Sequence, residues 1–354
     1  MADLASSFAK SHDVTILVHS DTGEYQQNID QRVSIKSLGS RLPQFLKPKT
    51  LFCLFGLIRH LQKNKPDIIL TTGAQHSVIL LGLSKLFRFS SKIVIRETNT
   101  ISVQSHHTQS QIERLSLWAA KKLYPLAHKV IAPSEGVAND LILHIPKISD
   151  KVKTIPNPID IEDIIEKSQH PLPNDTNITS PFILAVGRLV PQKGHADLIK
   201  AWAPLHQKQN IELVILGNGP ERQKLIALAT ELGVVDGLHL PGFDLNPFRY
   251  MIHCSVFILS SYHEGLPNTL LQAMACGCKI VATDCPSGPR EILQDGKFGK
   301  LVKIGDITAI REAIIQQLGS HEDKAEERQE TVRTLYDQNK ISERYLNLFK
   351  TINQ

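Results

Sequence analysis

Two loops in this chain gather side chains suited to handling a charged leaving group. In the first, GRLVPQKGH, Gly187 permits a turn, and Arg188 and Lys193 put two cations on one loop ahead of a helix. A departing pyrophosphate needs such cations, because negative charge grows on it as its bond to carbon breaks. In the second, HEGLPNTLLQAMACG, Gly265 frees the backbone, Pro267 suits a first helical turn and Gly277 stops the helix. Leu270, Leu271, Met274 and Ala275 form the apolar stripe of that helix. The run before it, Ser255 to Ser260, is apolar enough for a strand buried on both faces. The helix therefore begins at the carboxyl end of a parallel strand, where free N–H groups receive phosphate-bearing ligands. Glu264 stands just before this helix and Gln272 in its second turn. No Asp-x-Asp occurs, and a metal-held diphosphate normally needs paired carboxylates, so no metal is expected. There is also no Ser-His-Asp set at motif spacing, no Walker loop and no G-x-G-x-x-G after a strand.

The run EGLPNTLLQAMACG resembles the E-x7-E signature of retaining GT-B glycosyltransferases of family four. In that family the first Glu approaches the donor sugar and the second holds the nucleotide ribose. The resemblance carries these roles onto Glu264 and, with a departure from the pattern, onto Gln272. An amide can still accept a hydrogen bond from a ribose hydroxyl, but without the added strength of charge. The loop from Gly187 resembles the family's GR-x-x-x-QKG donor loop, which implies diphosphate-clamping roles for Arg188 and Lys193. The strand, G-x-G-P and helix from Ile211 to Leu232 match as well, with Gly217 in the turn. The stretch Leu238 to Phe243 corresponds to the region that cups the base, which adds Phe243. Gly187, Gly265, Leu266, Pro267 and Asn268 complete the donor-binding set. Glu291, in the later turn PSGPRE, recurs in the family and is read as orienting its loop.

In the first half, KVIAPSEGVANDL followed by VKTIPNPID resembles the end of the family's first domain. Related enzymes often carry a His after the fourth strand of this half, where this chain reads Arg96-Glu97-Thr98-Asn99. Glu97, coming off a strand end, is therefore the first acceptor-side candidate, with His76, His106 and His107 behind it. Family members usually begin with a strand and a Gly-rich loop ahead of the first helix, whereas here Met1 falls within that helix. The expectation is a first domain without its N-terminal strand, either a truncated copy or one that has lost it.

The chain is 354 residues long, comfortable for two domains, and 42% apolar, which excludes general disorder. No run is apolar enough to span a bilayer, and MADLASSFAKSHD lacks the basic start and apolar core of a signal peptide. Five cysteines without C-x-x-C spacing fit a reduced, cytosolic setting better than a zinc site. Charge is uneven. Residues 1–160 hold 20 Lys/Arg against 12 Asp/Glu, a balance of +8, while the remainder holds 20 against 23, a balance of −3. A basic first half could face anionic lipid or a phosphorylated acceptor, or be ordinary solubilising charge. No aromatic-and-basic motif accompanies it, so nucleic acid is not an expected partner.

Strand and helix signals alternate along the chain. Strands are expected at Val14–Val18, Val33–Leu38, Asp67–Thr72, Lys92–Arg96, Lys129–Ala132 and Val152–Ile155, with helices at 2–10, 51–64, 76–87 and about 109–124. Such alternation argues for an α/β, doubly wound parallel sheet. Helix 51–64 could pack on that sheet or lie in a membrane interface. The linker is read as Gln169 to Ser180, rich in Pro, Asn and Thr. The resemblance implies a GT-B architecture of two Rossmann-like domains facing a cleft: residues 1–168 for the acceptor, 181–335 for the nucleotide sugar, and a last helix, 336–354, crossing back to the first.

The implied activity is transfer of a hexose or N-acetylhexosamine, with retention, from a UDP-linked donor to a glycan or lipid-linked acceptor of bacterial surface polysaccharide. N-acetylgalactosamine, galactose and glucose stay open as sugars. The expected partners are the nucleotide-sugar donor, that acceptor and a peripheral anionic membrane, with no cofactor besides the donor co-substrate. An epimerase or phosphorylase would keep the fold, but no lysine sits in a recognisable pyridoxal-phosphate context. From a different class, Gln272 and the missing N-terminal loop also fit an impaired, donor-binding or assembly subunit.

Overall fold

The computed structural model describes residues 1–18, 29–38, 49–102, 111–173, 176, 178, 181–321 and 324–353. The chain divides into two compact units. One comprises Met1–Pro133, Val137–Pro158 and Gln338–Gln354; the other comprises Ser134–Gly136 and Ile159–Asp337.

The first unit runs α1 (Ala2–Phe8), β1 (Thr15–Val18), β2 (Ser34–Ser37), α2 (Lys49–Asn64), β3 (Ile68–Thr72), α3 (Ala74–Phe87), β4 (Lys92–Arg96), α4 (Gln111–Leu123), β5 (Lys129–Ala132), α5 (Glu135–His144, whose Glu135 and Gly136 belong to the second unit) and β6 (Val152–Thr154). β3, β4, β5 and β6 form a parallel sheet in that order, and β1 pairs with β2 in a separate parallel sheet. Alternation along β4 sorts the core. Ile93 and Ile95 pack on one face with Leu61 of α2, Leu80 and Leu81 of α3, and Leu117 and Ala120 of α4. Val94 packs on the other face with Leu4 and Phe8 of α1 and with Ile341 and Tyr345 of the last helix, Gln338–Asn353.

The second unit holds a six-stranded parallel sheet. Its elements are α6 (Ile161–Ser168), β7 (Phe182–Val186), α7 (His195–Gln209), β8 (Glu212–Leu216), α8 (Arg222–Glu231), β9 (Leu238–Gly242), α9 (Phe248–Met251) and β10 (Val256–Leu259). After these come α10 (Asn268–Ala275), β11 (Ile280–Thr283), α11 (Pro289–Ile292), β12 (Lys300–Val302), α12 (Ile307–Gly319) and α13 (Ala325–Leu335). The strand order β12-β11-β10-β7-β8-β9 reverses direction between β7 and β10. That reversal is a topological switch point, where loops from neighbouring strand ends diverge and leave room for a ligand. Helices cover both faces, so β8 and β10 are buried along their whole length, as the unbroken apolar runs predict.

The chain departs from the expected organisation at the boundary. The compact units separate at Pro158, ahead of the Pro-rich linker predicted at 169–180, part of which lies outside the described residues. The reason is α6, capped by Asp160 accepting from the Asp163 N–H, whose Ile161 and Ile164 are buried in the second unit's core. The last helix, expected from 336, begins at Gln338, because the chain breaks at Tyr336 and Asp337, where the Tyr336 carbonyl accepts from the Ile159 N–H at 2.8 Å. Among the described residues no helix is long and apolar enough to cross a membrane.

Candidate active site

The loops after β7 and β10 meet at the switch point and are fastened to each other by several bonds. The Ser260 hydroxyl donates to the Lys193 carbonyl at 2.8 Å, the Tyr262 N–H to the Gln192 carbonyl at 2.8 Å, and the Gln192 amide to the His263 carbonyl at 2.8 Å. Tyr262 also donates to Asp197 Oδ2 at 2.5 Å, a bond that pushes the phenol pKa up to about 12. Gly194 is required here: its φ is +64°, and a Cβ would sit 2.0 Å from the Ser260 carbonyl oxygen.

This fastening brings the two predicted charged residues together. Lys193 Nζ lies 2.6 Å from Glu264 Oε1, and both side chains are largely buried. The Ser261 hydroxyl donates to the same carboxylate oxygen at 2.7 Å. Main-chain bonds fix Glu264 from both sides: its N–H donates to the Pro286 carbonyl and its carbonyl accepts from the Ser287 N–H, each at 2.8 Å. Arg188 is exposed on the same loop. Gly187 N–H donates to the Leu216 carbonyl at 2.9 Å and Gly217 N–H to the Gly242 carbonyl at 2.7 Å, so the ends of β7, β8 and β9 are drawn together. Gly217 adopts φ +141°, and a Cβ there would reach the Gly187 carbonyl oxygen at 2.0 Å.

Gly265, Leu266 and Pro267 are buried and Asn268 is exposed as the first residue of α10. Gln272 is half-buried one turn further on. Phe243 is half-exposed just beyond β9. Glu291 is half-buried, and its carboxylate accepts from the Glu135 N–H of the same unit at 3.0 Å; burial raises its pKa. The arrangement offers one exposed cation, one cation shared with a carboxylate, and the start of a helix, all at one crevice. That combination has the charge a diphosphate needs, with a carboxylate close by.

Sequence reasoning passed over several residues that build this site. His195 opens α7 and is buried against the backbone of Gly187 and Arg188; burial, then the nearby Lys193 charge, lowers its pKa to about 4 and keeps it neutral. Ser260, Ser261, Tyr262 and Gln192 supply the fastening bonds. Their signal was present, since Gln192 and His195 lie within GRLVPQKGH and the two serines stand four and three residues before Glu264.

The acceptor-side candidates lie in the first unit. Glu97 does come off the end of β4, but it is buried, which corrects its expected place as an acceptor-side contact. Its N–H still pairs with the Ile131 carbonyl, so strand alternation continues one residue further and turns the side chain inward. There the carboxylate accepts from the Tyr124 hydroxyl, and burial raises its pKa to about 7. His76 is exposed in the first turn of α3, with Nδ1 3.3 Å from the Thr72 carbonyl. His106 and His107 lie outside the described residues. Among those residues no three His, Cys, Asp or Glu side chains gather as a metal site would require.

Two Rossmann-like parallel-sheet units, with the crevice of the second at its switch point, define the GT-B fold. Each half matches a glycosyltransferase family: residues 1–163 the model described as Glycosyltransferase Family 4, and residues 166–334 that described as Glycosyl transferases group 1. The N-acetylgalactosamine-N,N'-diacetylbacillosaminyl-diphospho-undecaprenol 4-alpha-N-acetylgalactosaminyltransferase of Campylobacter jejuni is 36% identical over 63% of this chain and 59% of its own length. An uncharacterized glycosyltransferase of Methanocaldococcus jannaschii is 30% identical over 72% of this chain and 64% of its own. The matched stretch thus spans about three fifths of either relative. The crystal structure of Anabaena HepE with UDP and glucose superposes with a TM-score of 0.80 at 20% identity, covering 99% of this chain and 94% of that one.

Proposed function

We propose that this protein transfers a hexose or N-acetylhexosamine from a UDP-linked donor to a glycan or lipid-linked acceptor, with retention at the anomeric carbon. The observation that carries the reading is the Lys193–Glu264 pair, buried at the switch point beside the exposed Arg188 and the start of α10. In the reaction the bond from the sugar C1 to the diphosphate breaks and a bond from C1 to the acceptor oxygen forms on the same face. The acceptor proton passes to the departing phosphate oxygen. Arg188 and Lys193 neutralise the diphosphate without a metal, and the Glu264 carboxylate stabilises positive charge developing at the sugar. Gln272 accepts a hydrogen bond from the ribose, and Phe243 borders the base. The names of the relatives support the choice of acceptor, since the Campylobacter protein is named for transfer to a diphospho-undecaprenol-linked glycan.

Incubation with labelled UDP-sugars and membrane lipid extract tests the reading. Transfer of label and release of UDP are expected. A folded protein that does neither with any of a broad donor panel refutes it. UDP binding without turnover would favour the second reading, a donor-binding or assembly subunit, which the uncharged Gln272 already suits.

A further inference from the structure

Three of the chain's five cysteines, Cys254, Cys276 and Cys278, stand just before the amino ends of β10 and β11 and pack against one core of the second unit. The two strands pair in parallel, with Phe257 beside Ile280. Continued back by two residues, that register sets Ser255 beside Cys278. Neighbouring strands lie about 4.8 Å apart and each residue advances about 3.3 Å, which puts the Cα atoms of Cys254 and Cys278 about 6 Å from each other. A disulfide spans about 4.4–6.8 Å between Cα atoms.

Side-chain bonds bring the two sulfurs to one point. Cys254 Sγ donates to the Met251 carbonyl at 3.1 Å, and Cys278 Sγ donates to the same oxygen at 3.2 Å. Two sulfurs held by one acceptor stand within a side-chain rotation of each other. The turn that ends α9 fixes the first of them, since the Cys254 N–H donates to the Tyr250 carbonyl at 2.9 Å. Cys254 is half-buried and follows the exposed Ile252 and His253, whereas Cys278 is buried, so a small reagent meets Cys254 first. The Cys278 thiol beside it, then burial, pushes the Cys254 pKa well up. At neutral pH Cys254 is therefore a thiol, and its attack on a reagent is slow. Cys276 is half-buried as well, and burial, then Cys278, raises its pKa.

We propose that Cys254 and Cys278 form a modification site, a dithiol that closes to a reversible disulfide by exchange with a small-molecule disulfide of the oxidised-glutathione class. The Cys254 sulfur, giving up its proton, attacks one sulfur of the reagent; the reagent's S–S bond breaks and the first small thiol leaves with that proton. Cys278 then attacks the Cys254 sulfur and expels the second small thiol, which takes the Cys278 proton. Two protein thiols are oxidised to one disulfide, and one reagent disulfide is reduced to two thiols. The loop closed in this way contains Glu264 and the whole of α10. Its closing point is tied to the last turn of that helix, because the Cys276 N–H donates to the Gln272 carbonyl at 2.9 Å and the Cys278 N–H to the Ala273 carbonyl at 3.0 Å. The inference stands apart from sugar transfer, because it is tested without donor or acceptor.

Full-length protein is incubated with oxidised glutathione under native conditions, its remaining thiols are alkylated, and it is digested for mass spectrometry. Trypsin leaves Cys254, Cys276 and Cys278 in one peptide, 250–279, and cleavage after Glu264 divides that peptide into two halves. The halves should stay joined until dithiothreitol is added, and the oxidised protein should melt at a higher temperature than the reduced one, as a closed loop requires. Cys276→Ser should still give joined halves, and Cys254→Ser should not. The wild-type digest needs no variant, so the test does not depend on how the variants fold. Halves that separate after native incubation, or that join only when denaturant is present, overturn the proposal. So does a glutathione adduct on Cys254 that never resolves, or loss of the link in a Cys276→Ser protein that melts as the wild type does, which would make Cys276 the partner.

Discussion

Replacing Glu264 by Gln separates the two charges that the structure holds together. In the folded protein Lys193 Nζ and Glu264 Oε1 are 2.6 Å apart, so in the absence of donor each satisfies the other. An amide oxygen can still accept from Ser261 and from Lys193, so Glu264→Gln should fold with little loss of stability. The released positive charge of Lys193 is then wholly available to a diphosphate, and UDP should bind as tightly as before or a few-fold tighter. Turnover should fall sharply, because the lost charge acts where positive charge develops in the transition state; one charge-assisted contact is worth roughly 1.5–3 kcal/mol, or about tenfold to a hundredfold. Lys193→Ala should behave oppositely. It leaves a buried carboxylate with Ser261 but without its cation, and UDP affinity, turnover and thermal stability should fall together. Calorimetry of UDP binding beside initial rates distinguishes the pair. If Glu264→Gln weakens UDP binding as much as Lys193→Ala does, or keeps wild-type turnover, the roles assigned here are wrong.

Three further outcomes follow from the same geometry. Gly217→Ala should lower both UDP affinity and melting temperature, since its Cβ would displace the Gly187 carbonyl by the donor loop; Gly233→Ala, also at positive φ but with open space around it, should leave UDP binding unchanged. Glu97 holds a proton in the folded state between its ordinary carboxylate value and about 7, so its ionisation makes stability fall as pH rises through that window, by up to roughly 3 kcal/mol. Glu97→Gln should remove this slope, and urea unfolding of the two proteins below and above the window should show the mutant gaining on the wild type; parallel stabilities would contradict the buried carboxylate. Gln272→Glu should leave UDP affinity unchanged or raise it, and a loss of binding by calorimetry would misplace the ribose.

Much of this was legible because apolar runs and glycines are local signals. The strands around Ile93–Ile95 and Val256–Leu259 announce themselves by composition, and a turn that demands glycine, as at Gly187, leaves its mark in the sequence. Glu97 was misread because its direction depends on how far β4 stays paired with β5, a fact of two strands far apart in sequence. The same holds for α6: IEDIIEKS reads as a short amphipathic helix only once the core that receives Ile161 and Ile164 is known. His195 looks like an unremarkable polar residue until burial under the Gly187–Arg188 turn makes it a fixed neutral support.

The switch-point crevice is walled largely by main chain: Gly187 to Leu216, Leu189 to Asn218, Tyr262 to Gln192 and Glu264 to Pro286 are all amide-to-carbonyl bonds. Such bonds survive almost any change of side chain. Phe243, Asn268 and Gln272 stand at half-buried or exposed positions, and none of them supplies one of those main-chain bonds. A lineage carrying this architecture can therefore vary the side chains around the crevice while the main-chain bonds that shape it stay in place.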